Sequence, residues 1–292
     1  MSDRAEASAK GNGSTPRQHF TTEALPAAHR LAIWREEFGR TLLHADIEPA
    51  SDEPLHAEAT MSVLPGARSL EFRGSAMCFA RRKEILASSD DTIGLVISRE
   101  GDLGISQRKQ DASLQFGDAC LILSHEPGMI TSRGHLGLLF PSAPLTERVR
   151  TIEDYATKSV ARDTESLRLL QNYLSAMQSS PPFLSSKLSH VVAEHIYDLL
   201  VLVICPNHSI NENSLSATAA ARLETAIAYI ATHFDRPNLT ISAVARDQNV
   251  SPRFLQRLSG TTGSTFSQRA QEVRLRFASW LFPIQGQEKV RF

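Results

Sequence analysis

Residues 239–260 read LTISAVARDQNVSPRFLQRLSG, a stretch that predicts two short helices joined by a tight turn. Thr240 lies where the N-cap of a first helix over residues 241–247 belongs. Ser251 lies at the corresponding position before a second helix over residues 252–259. Both hydroxyls can accept a hydrogen bond from a backbone N–H group that the first turn of a helix leaves free. The stretch therefore carries its own start signals for two successive helices.

The turn between these helices is Gln248-Asn249-Val250. Asn249 belongs to the residue types that tolerate a positive φ, which a tight turn after a helix often requires. Pro252 suits the first position of the second helix, because its φ is fixed and it has no N–H group to satisfy. Five apolar residues are predicted to face inward: Ile241, Val244, Ala245, Leu255 and Leu258.

Three polar side chains, Arg253, Gln256 and Arg257, are predicted on the outward face of the second helix. Residues at positions i, i+3 and i+4 share one face of a helix. An α-helix fits the major groove of DNA, where Arg binds guanine and Gln binds adenine through paired hydrogen bonds. No acidic residue lies on this helix. The spacing predicts a DNA-reading helix, and the alternative is a plain helical hairpin with a solvated polar face.

The charge distribution favours a polyanion as the partner of the C-terminal segment. The 292 residues carry a net charge of −1, and their 41% hydrophobic and 22% charged residues are typical of globular proteins. Residues 221–292 contain ten Lys or Arg and five Asp or Glu, so this segment is basic and the remainder of the chain is acidic. A basic segment on an acidic body indicates binding to nucleic acid.

The segment from Phe20 to Pro141 has the pattern of short strands broken by turns. Residues 92–109, TIGLVISREGDLGISQRK, and residues 112–128, ASLQFGDACLILSHEPG, alternate apolar runs with turn residues. This pattern predicts an antiparallel β-barrel or jelly roll. A helix over Ala27–Leu42 is predicted to precede the strands, and its apolar face consists of Leu31, Trp34, Phe38 and Leu42.

Helical periodicity replaces the strand pattern between residues 145 and 205. One predicted stripe consists of Leu167, Leu170, Leu174 and Met177. A second stripe consists of Leu188, Val191, His195, Leu199 and Leu202. Amphipathic helices beside a small barrel fit either a packed core or a dimer interface, so residues 164–205 are candidate dimerisation helices.

Composition places the domain boundaries. Residues 1–18 are polar and predict a disordered lead, and residues 206–215 are rich in Asn and Ser and predict a linker. The first domain is expected to span residues 19–205 and the second residues 216–282, followed by an irregular tail over residues 283–292. The chain is therefore predicted to be α+β, with an antiparallel barrel and flanking helices followed by an all-α domain.

The cellular compartment is predicted from the cysteines and from the apolar runs. Cys78, Cys120 and Cys205 are scattered, odd in number and without metal-ligand spacing, which favours a reducing cytoplasm over a disulfide framework. The lead has no apolar segment typical of a signal peptide. The longest apolar run, LLVLVIC at residues 199–205, is too short to span a bilayer. We expect a soluble cytoplasmic protein with no membrane partner.

Residues 226–278 resemble the AraC/XylS family of bacterial transcription regulators. The resemblance is carried by SPRFLQRL at residues 251–258, by Gly263 with Phe266, and by Arg274-Leu275 followed by Ala278. Upstream, LAIWREEFGR, QFGDACLIL and HIYDLL are similar to the cupin-like sensor domain of a subgroup of that family. The resemblance implies that Arg253, Gln256 and Arg257 read promoter DNA and that the barrel binds a small organic effector. It also implies a homodimer, with RNA polymerase as a further partner.

The C-terminal end departs from the family pattern. Members carry two helix-turn-helix units joined by a linker helix, which corresponds here to residues 265–281. The eleven residues FPIQGQEKVRF that follow are too few for a second three-helix unit. We therefore expect an incomplete DNA-binding domain, the product of a frameshift or truncation, with weak and salt-dependent DNA binding. A remnant that still dimerises through residues 164–205 but does not bind DNA is the alternative.

A metal-dependent cupin enzyme is a further alternative, because such enzymes use the same scaffold. The candidate ligands are His125, Glu126 and His135, but adjacent residues on a strand point to opposite faces. Surface or loop histidines are the favoured interpretation, so we predict no enzyme, no catalytic or metal-binding residue and no cofactor. Phe79, Arg81 and Arg82 lie where a strand enters the barrel, and an Arg there could pair with a carboxylate effector. An exposed basic turn is the favoured interpretation, and no effector-binding residue is assigned.

Overall fold

The computed structural model describes residues 17–86, 91–179, 185–206, 212–236, 239–260 and 265–281. Residue contacts divide the chain into two compact units, Met1–Ser214 and Leu215–Phe292, and each is described by itself. The predicted tail, residues 283–292, lies outside the described residues, as do residues 1–16 of the predicted lead and residues 207–211 of the predicted linker.

One antiparallel sheet dominates the N-terminal unit. Its strands are β1 (Arg17–Thr21), β2 (Asp46–Pro49), β3 (Ala57–Leu64), β4 (Ala67–Arg81), β5 (Thr92–Glu100), β6 (Leu103–Gln107), β7 (Gln110–Leu114), β8 (Ala119–Leu123), β9 (Gly128–Pro141) and β10 (Ser159–Val160). They pair in the order β1-β3-β4-β9-β5-β8-β10, with β2 on β4 and with β6 between β9 and β7. The prediction of an N-terminal domain rich in antiparallel strands is confirmed.

The sheet bends midway along its two longest strands. The first half of β9, residues 128–131, pairs with β6, and the second half, residues 134–141, pairs with β5. The register of β4 against β9 shifts between Arg73 and Met77. Such irregularities bend a strand, so the halves of β4 and β9 form two walls that face a common interior.

Helices flank this sheet and make up the C-terminal unit. They are α1 (Arg30–Ile33), α2 (Lys83–Leu86), α3 (Ser142–Arg148), α4 (Glu165–Ser179), α5 (Ser186–Ile204), α6 (Glu212–Thr232), α7 (Ile241–Asp247), α8 (Pro252–Gly260) and α9 (Phe266–Leu281). A π-helix covers Trp34–Leu43, and a short 3₁₀ helix covers Ile152–Tyr155. No helix in the described ranges combines the length and the apolar character needed to cross a bilayer.

Alternation along β9 separates the interior of the barrel from the layer beneath the helices. His135 and Gly137 line the interior. Leu138 and Phe140 are fully buried on the opposite face, where the Phe140 ring lies 6.1 Å from the Tyr197 ring of α5. Successive side chains of a strand point to opposite faces, so one strand serves both cores.

The predicted helix over residues 27–42 begins later than expected and becomes a π-helix. Phe38 is buried, as predicted, whereas Leu31 and Leu42 are half-buried, and Leu43 occupies a buried position instead. The hydrogen bonds of a π-helix run from i to i+5, so residues four or five apart share a face. The change of winding moves the buried face relative to an α-helical reading of the sequence.

The prediction for α4 is confirmed for three of its four residues, and that for α5 is wrong in part. Leu167, Leu170 and Leu174 are buried on α4, and Met177 is half-buried. On α5, however, Leu188 is 48% exposed and Val191 is 42% exposed. The buried face of α5 is wider and displaced, because this helix packs against both α4 and the sheet. Its apolar members are Val192, Ala193, Ile196, Tyr197, Leu199, Leu200, Val201, Val203 and Ile204.

The helices α6 to α9 enclose a small core of their own. Ala226 of α6, Val244 and Ala245 of α7, and Leu255 of α8 form its buried centre. The helix predicted over residues 265–281 is present as α9. Two segments of the predicted lead and linker are structured, since β1 begins at Arg17 and pairs with β3, and the Ala-rich α6 begins at Glu212.

Candidate functional site

The interior of the barrel contains a cavity of about 80 Å³. It lies between β4, β5, β6, β8 and β9 and is lined mainly by apolar side chains: Leu43, Leu70, Phe79, Val96, Ile105, Ile122, Ile130 and Leu139. Glycine contributes space to the lining. A Cβ atom at Gly137 would have as its nearest neighbour only the Leu70 carbonyl oxygen, at 3.9 Å. The cavity thus has the apolar lining typical of a small-molecule site.

Arg81 places a positive charge at one end of this cavity. Its guanidinium donates hydrogen bonds to the carbonyl oxygens of Ser124 and Leu43, both at 3.1 Å. Burial, together with the nearby charge of Arg68, lowers the pKa of Arg81 below the usual arginine range. Within the described part of the chain, no carboxylate forms an ion pair with it.

The expectation of an exposed basic turn is therefore wrong for Arg81. It fits Arg82, whose side chain is 66% exposed and pairs with Asp46 at 3.5 Å. Alternation along the last residues of β4 explains the difference. Phe79 and Arg81 both point into the barrel, and Arg82 follows the end of the strand.

Ser124, directly after β8, adds a second polar group beside Arg81. The residue is only 1% exposed, and its hydroxyl has no hydrogen-bond partner among the residues that the structure describes. A buried polar group without a partner carries a desolvation cost. Sequence reasoning missed Ser124, although the alternation of β8 places it on the same face as Cys120 and Ile122, which also face the barrel interior.

His135 lies deeper in the cavity and is 4% exposed, so the prediction of a surface or loop histidine is wrong for it. Its ring centroid lies 5.5 Å from that of Phe72 and 5.3 Å from that of Phe79, and its Nδ1 is 3.2 Å from the Ser132 hydroxyl. Burial among these rings lowers the pKa of His135 to about 4. The imidazole is therefore neutral at physiological pH.

The three candidate metal ligands do not converge. His125 pairs with Asp91 at 3.4 Å, and Glu126 pairs with Arg108 at 3.5 Å, while His135 is buried inside the barrel. The described ranges contain no group of three His, Cys, Asp or Glu residues able to hold a metal ion. The cavity has the chemistry of a binding site, with one cation, one free hydroxyl and apolar walls.

In the C-terminal unit, local hydrogen bonds fix α7 and α8. The Thr240 hydroxyl accepts from the Ala243 N–H at 3.2 Å, and the Ser251 hydroxyl accepts from the Phe254 N–H at 3.2 Å, which confirms both predicted N-caps. Asn249 adopts the predicted positive φ, 53°. The turn is thereby set by residues within the stretch itself.

The predicted site residues Arg253, Gln256 and Arg257 are all exposed on α8. The opposite side of the helix is held by Leu255, which is 2% exposed. The Arg257 guanidinium lies 5.7 Å from the centroid of the Phe254 ring, close enough for a cation–π contact. Three hydrogen-bonding side chains thus project from one face of a packed helix.

Comparison with known proteins places the chain in a family. Residues 34–205 match the model of the AraC-binding-like domain, which is more than half of the chain. The chain belongs to the AraC family. Its N-terminal unit is the cupin-like sensor domain of that family, as the sequence predicted.

One solved structure of an AraC-like protein agrees with this chain in fold. The AraC-like transcriptional activator CuxR matches with a TM-score of 0.56 at 18% identity, over 90% of this chain and 95% of that one. ToxT from Vibrio cholerae, bound to an unsaturated fatty acid, has a TM-score of 0.27 at 11% identity, over 68% of this chain and 76% of that one. No curated protein sequence gives a significant match. The family match points to a regulatory domain.

Proposed function

We propose that this chain is a ligand-responsive transcription regulator of the AraC family. In this proposal the barrel cavity binds a small organic effector, and α7 and α8 form a helix-turn-helix whose second helix reads promoter DNA. The observation that carries the DNA-binding part is the exposure of Arg253, Gln256 and Arg257 on one face of α8, with Leu255 buried on the other.

The geometry of α8 suits the major groove. Arg253, Gln256 and Arg257 lie at helical spacing i, i+3 and i+4, so their ends can reach base edges together. Each paired Arg–guanine or Gln–adenine contact discriminates against a wrong base by about 1–3 kcal/mol. Arg246, exposed in the last turn of α7, is suited to a phosphate contact instead.

A homodimer fits the exposed face of α5. Leu188 and Val191 are large apolar side chains that the helix leaves in solvent, near its first turns. Burial of such side chains against a second copy would remove apolar area from water. Two copies of α8 on one DNA molecule would then gain affinity by avidity, because the second binding event is intramolecular.

The protein partner and the cellular compartment in this proposal follow from the binding of promoter DNA. Binding upstream of a gene places the regulator next to RNA polymerase, which we include as a partner. It also places the regulator in the cytoplasm, where bacterial DNA is accessible. The effector acts by changing the population of the DNA-binding state, which requires that it bind the two states with different affinities.

Fluorescence anisotropy with two labelled DNA duplexes tests this function. One duplex carries the region upstream of the protein's own gene and the other a scrambled version, titrated from about 50 to about 200 mM salt. We expect the upstream duplex to bind more tightly and Arg253→Ala/Arg257→Ala to remove the preference. Arg246→Ala serves as the matched control, since loss of a phosphate contact weakens both duplexes equally and lowers the salt slope by about one.

Equal binding of both duplexes by the wild-type chain, lost together as salt increases, would contradict sequence-specific regulation. That outcome would instead fit the dimerising remnant that does not read DNA. The oligomeric state is measured in parallel by sedimentation, with Val191→Glu as the variant expected to yield monomers. An unchanged oligomer in Val191→Glu would remove α5 from the dimer interface.

A further inference from the structure

The barrel cavity has polar groups at one end that the protein leaves unused. Arg81 donates two hydrogen bonds from its guanidinium, one to the carbonyl oxygen of Leu43 and one to that of Ser124. Arginine has five N–H donors in a planar arrangement, so further donors remain for a ligand. The Ser124 hydroxyl, buried in the same lining, finds no partner among the described residues. The hydrogen bond from Arg81 to the Ser124 carbonyl places the two residues beside each other in the lining.

We propose that the ligand of this cavity is a small hydrophobic monocarboxylic acid whose carboxylate is bound by Arg81 and Ser124. The proposal rests on the proposed function of the barrel as a sensor and names the chemical class of its effector. A planar carboxylate matches the planar fork of a guanidinium, and its charge offsets the cost of partly removing that cation from water. A neutral ligand of the same shape leaves the charge of Arg81 without compensation.

The other charged groups around the cavity agree with an anionic ligand. Arg68 is near enough to lower the pKa of Arg81, so its charge adds to the positive potential at this end. Glu126 also lines the cavity, but it pairs with Arg108 at 3.5 Å and not with Arg81. His135 is kept neutral by its burial. Among the described residues, the cavity lining therefore presents one half-buried cation, which favours a ligand with a single negative charge.

The remaining lining determines the body of the ligand. Apart from the groups named above, the walls are mainly aliphatic, with Val96, Ile105 and Leu139 among them. A volume of about 80 Å³ is small for a ligand site. It favours a short aliphatic chain or one saturated ring attached to the carboxylate.

Isothermal titration calorimetry with matched acids and amides tests the proposal on the full chain, without DNA. The probes are hexanoate and cyclohexanecarboxylate, each paired with its primary amide, which has a similar shape and no charge. We expect at least one acid to bind about tenfold or more tightly than its amide at neutral pH, as loss of a charge-assisted pair implies. Thermal denaturation with the same four probes provides a second readout.

Four variants locate the binding. Arg81→Met is expected to weaken the acid at least tenfold and to make acid and amide equal, and Arg82→Met, next to it but exposed, is expected to change neither. Ser124→Ala retains the guanidinium and is expected to weaken the acid several-fold. Gly137→Val fills the cavity and is expected to abolish binding of every probe. Ser124→Ala and Gly137→Val still test the proposal if Arg81→Met does not fold.

The proposal is wrong if no acid binds better than its amide, or if both Ser124→Ala and Gly137→Val leave the affinity of the acid unchanged. Failure of the proposed function is distinguishable from this outcome. It appears as equal binding of the upstream and scrambled duplexes in the DNA titration, to which no acid is added. An acid that binds as expected but leaves DNA affinity unaltered upholds this inference and contradicts the effector role of the barrel.

Discussion

The hydroxyl of Tyr197 on α5 donates a hydrogen bond to the carbonyl oxygen of Gly66 at 2.8 Å, which joins this helix to the turn between β3 and β4. Gly66 has a φ of +71°. A Cβ atom on it would lie 2.9 Å from the Cβ of Ala193 and 3.0 Å from the Tyr197 hydroxyl. The close approach of α5 to the barrel therefore requires glycine at this position, both for the backbone conformation and for the space.

Gly66→Ala is predicted to destabilise the N-terminal unit more than Gly101→Ala. Gly101 has a similar φ of +62°, but a Cβ atom there meets no atom within 4 Å. Gly101→Ala thus measures the backbone strain alone, about 1–2 kcal/mol. Gly66→Ala adds the collision with α5, so we expect a further loss of about 1–3 kcal/mol in the free energy of unfolding. Urea denaturation followed by circular dichroism measures both. Equal losses would show that α5 moves aside without cost.

Arg148 of α3 connects to the same helix through two carboxylates. Its Nε is 3.2 Å from Oδ1 of Asp198, which is 6% exposed, and its Nη2 contacts Glu194. Arg148→Met leaves Asp198 as a buried charge without compensation. We expect a loss of about 2–4 kcal/mol in the free energy of unfolding. This loss is smaller than that for a fully buried ion pair, because the arginine is partly solvated.

A double-mutant cycle separates the charge from the packing. Asp198→Asn removes the charge with little change of shape, and in combination with Arg148→Met it is expected to cost less than the sum of the two single losses, by about 1–2 kcal/mol. Additive losses, measured by urea denaturation under the same conditions, would indicate that Arg148 acts through its other contacts, Glu194 and the Tyr197 ring 5.2 Å away, and not through Asp198.

Features that depend on neighbouring residues could be predicted from the sequence, and features that depend on closure of the barrel could not. The caps at Thr240 and Ser251 and the positive φ of Asn249 follow from side chains that act on their own backbone. The sequence favours exposed positions for Arg81 and His135, because the partial burial of Arg81 and the full burial of His135 depend on the bend of the sheet. Nothing in a single strand reveals that bend.

The error on α5 has a related cause. Leu188 and Val191 continue the helical spacing of Leu199, so the stripe was consistent as a pattern. The helix has apolar residues on most of its circumference between residues 191 and 204, and several stripes satisfy the same period. Packing of α5 on the sheet and on α4 determines which of these stripes is buried. Such tertiary contacts cannot be read from the local sequence.

The burial of His135 predicts a dependence of stability on pH. Its pKa is about 4 in the folded chain, against about 6.5 in the unfolded chain. Between these values the unfolded state binds a proton that the folded state does not, so stability falls as the pH decreases through this window and is unaffected above it. Acidification from above the unfolded-state pKa to below the folded-state pKa of His135 lowers the free energy of unfolding by about 3 kcal/mol.

The measurement compares urea midpoints of wild type and His135→Phe between about pH 7 and pH 4.5. We expect the wild type to lose more stability on acidification than His135→Phe, in which the buried ring cannot be protonated. His190→Gln, at an exposed position of α5, is the control and is expected to follow the wild type. Parallel curves for wild type and His135→Phe would contradict a neutral buried imidazole.

Asn249 allows the turn between α7 and α8 to be tested apart from any contact with DNA. The residue is exposed and has a φ of 53°, so its replacement alters the backbone preference and little of the packing. Asn249→Gly is expected to leave the turn unchanged, since glycine adopts this conformation freely. Asn249→Val forces a β-branched residue into it at a cost of about 1–2 kcal/mol. Amide hydrogen exchange in α8 should then be roughly ten times faster in Asn249→Val than in Asn249→Gly.

DNA affinity of the same two variants shows whether binding depends on this turn. Because Arg253, Gln256 and Arg257 are present in both variants, a loss of DNA affinity in Asn249→Val alone would mean that the turn holds α8 in its reading position. Equal affinity in the two variants would mean that α8 binds without it.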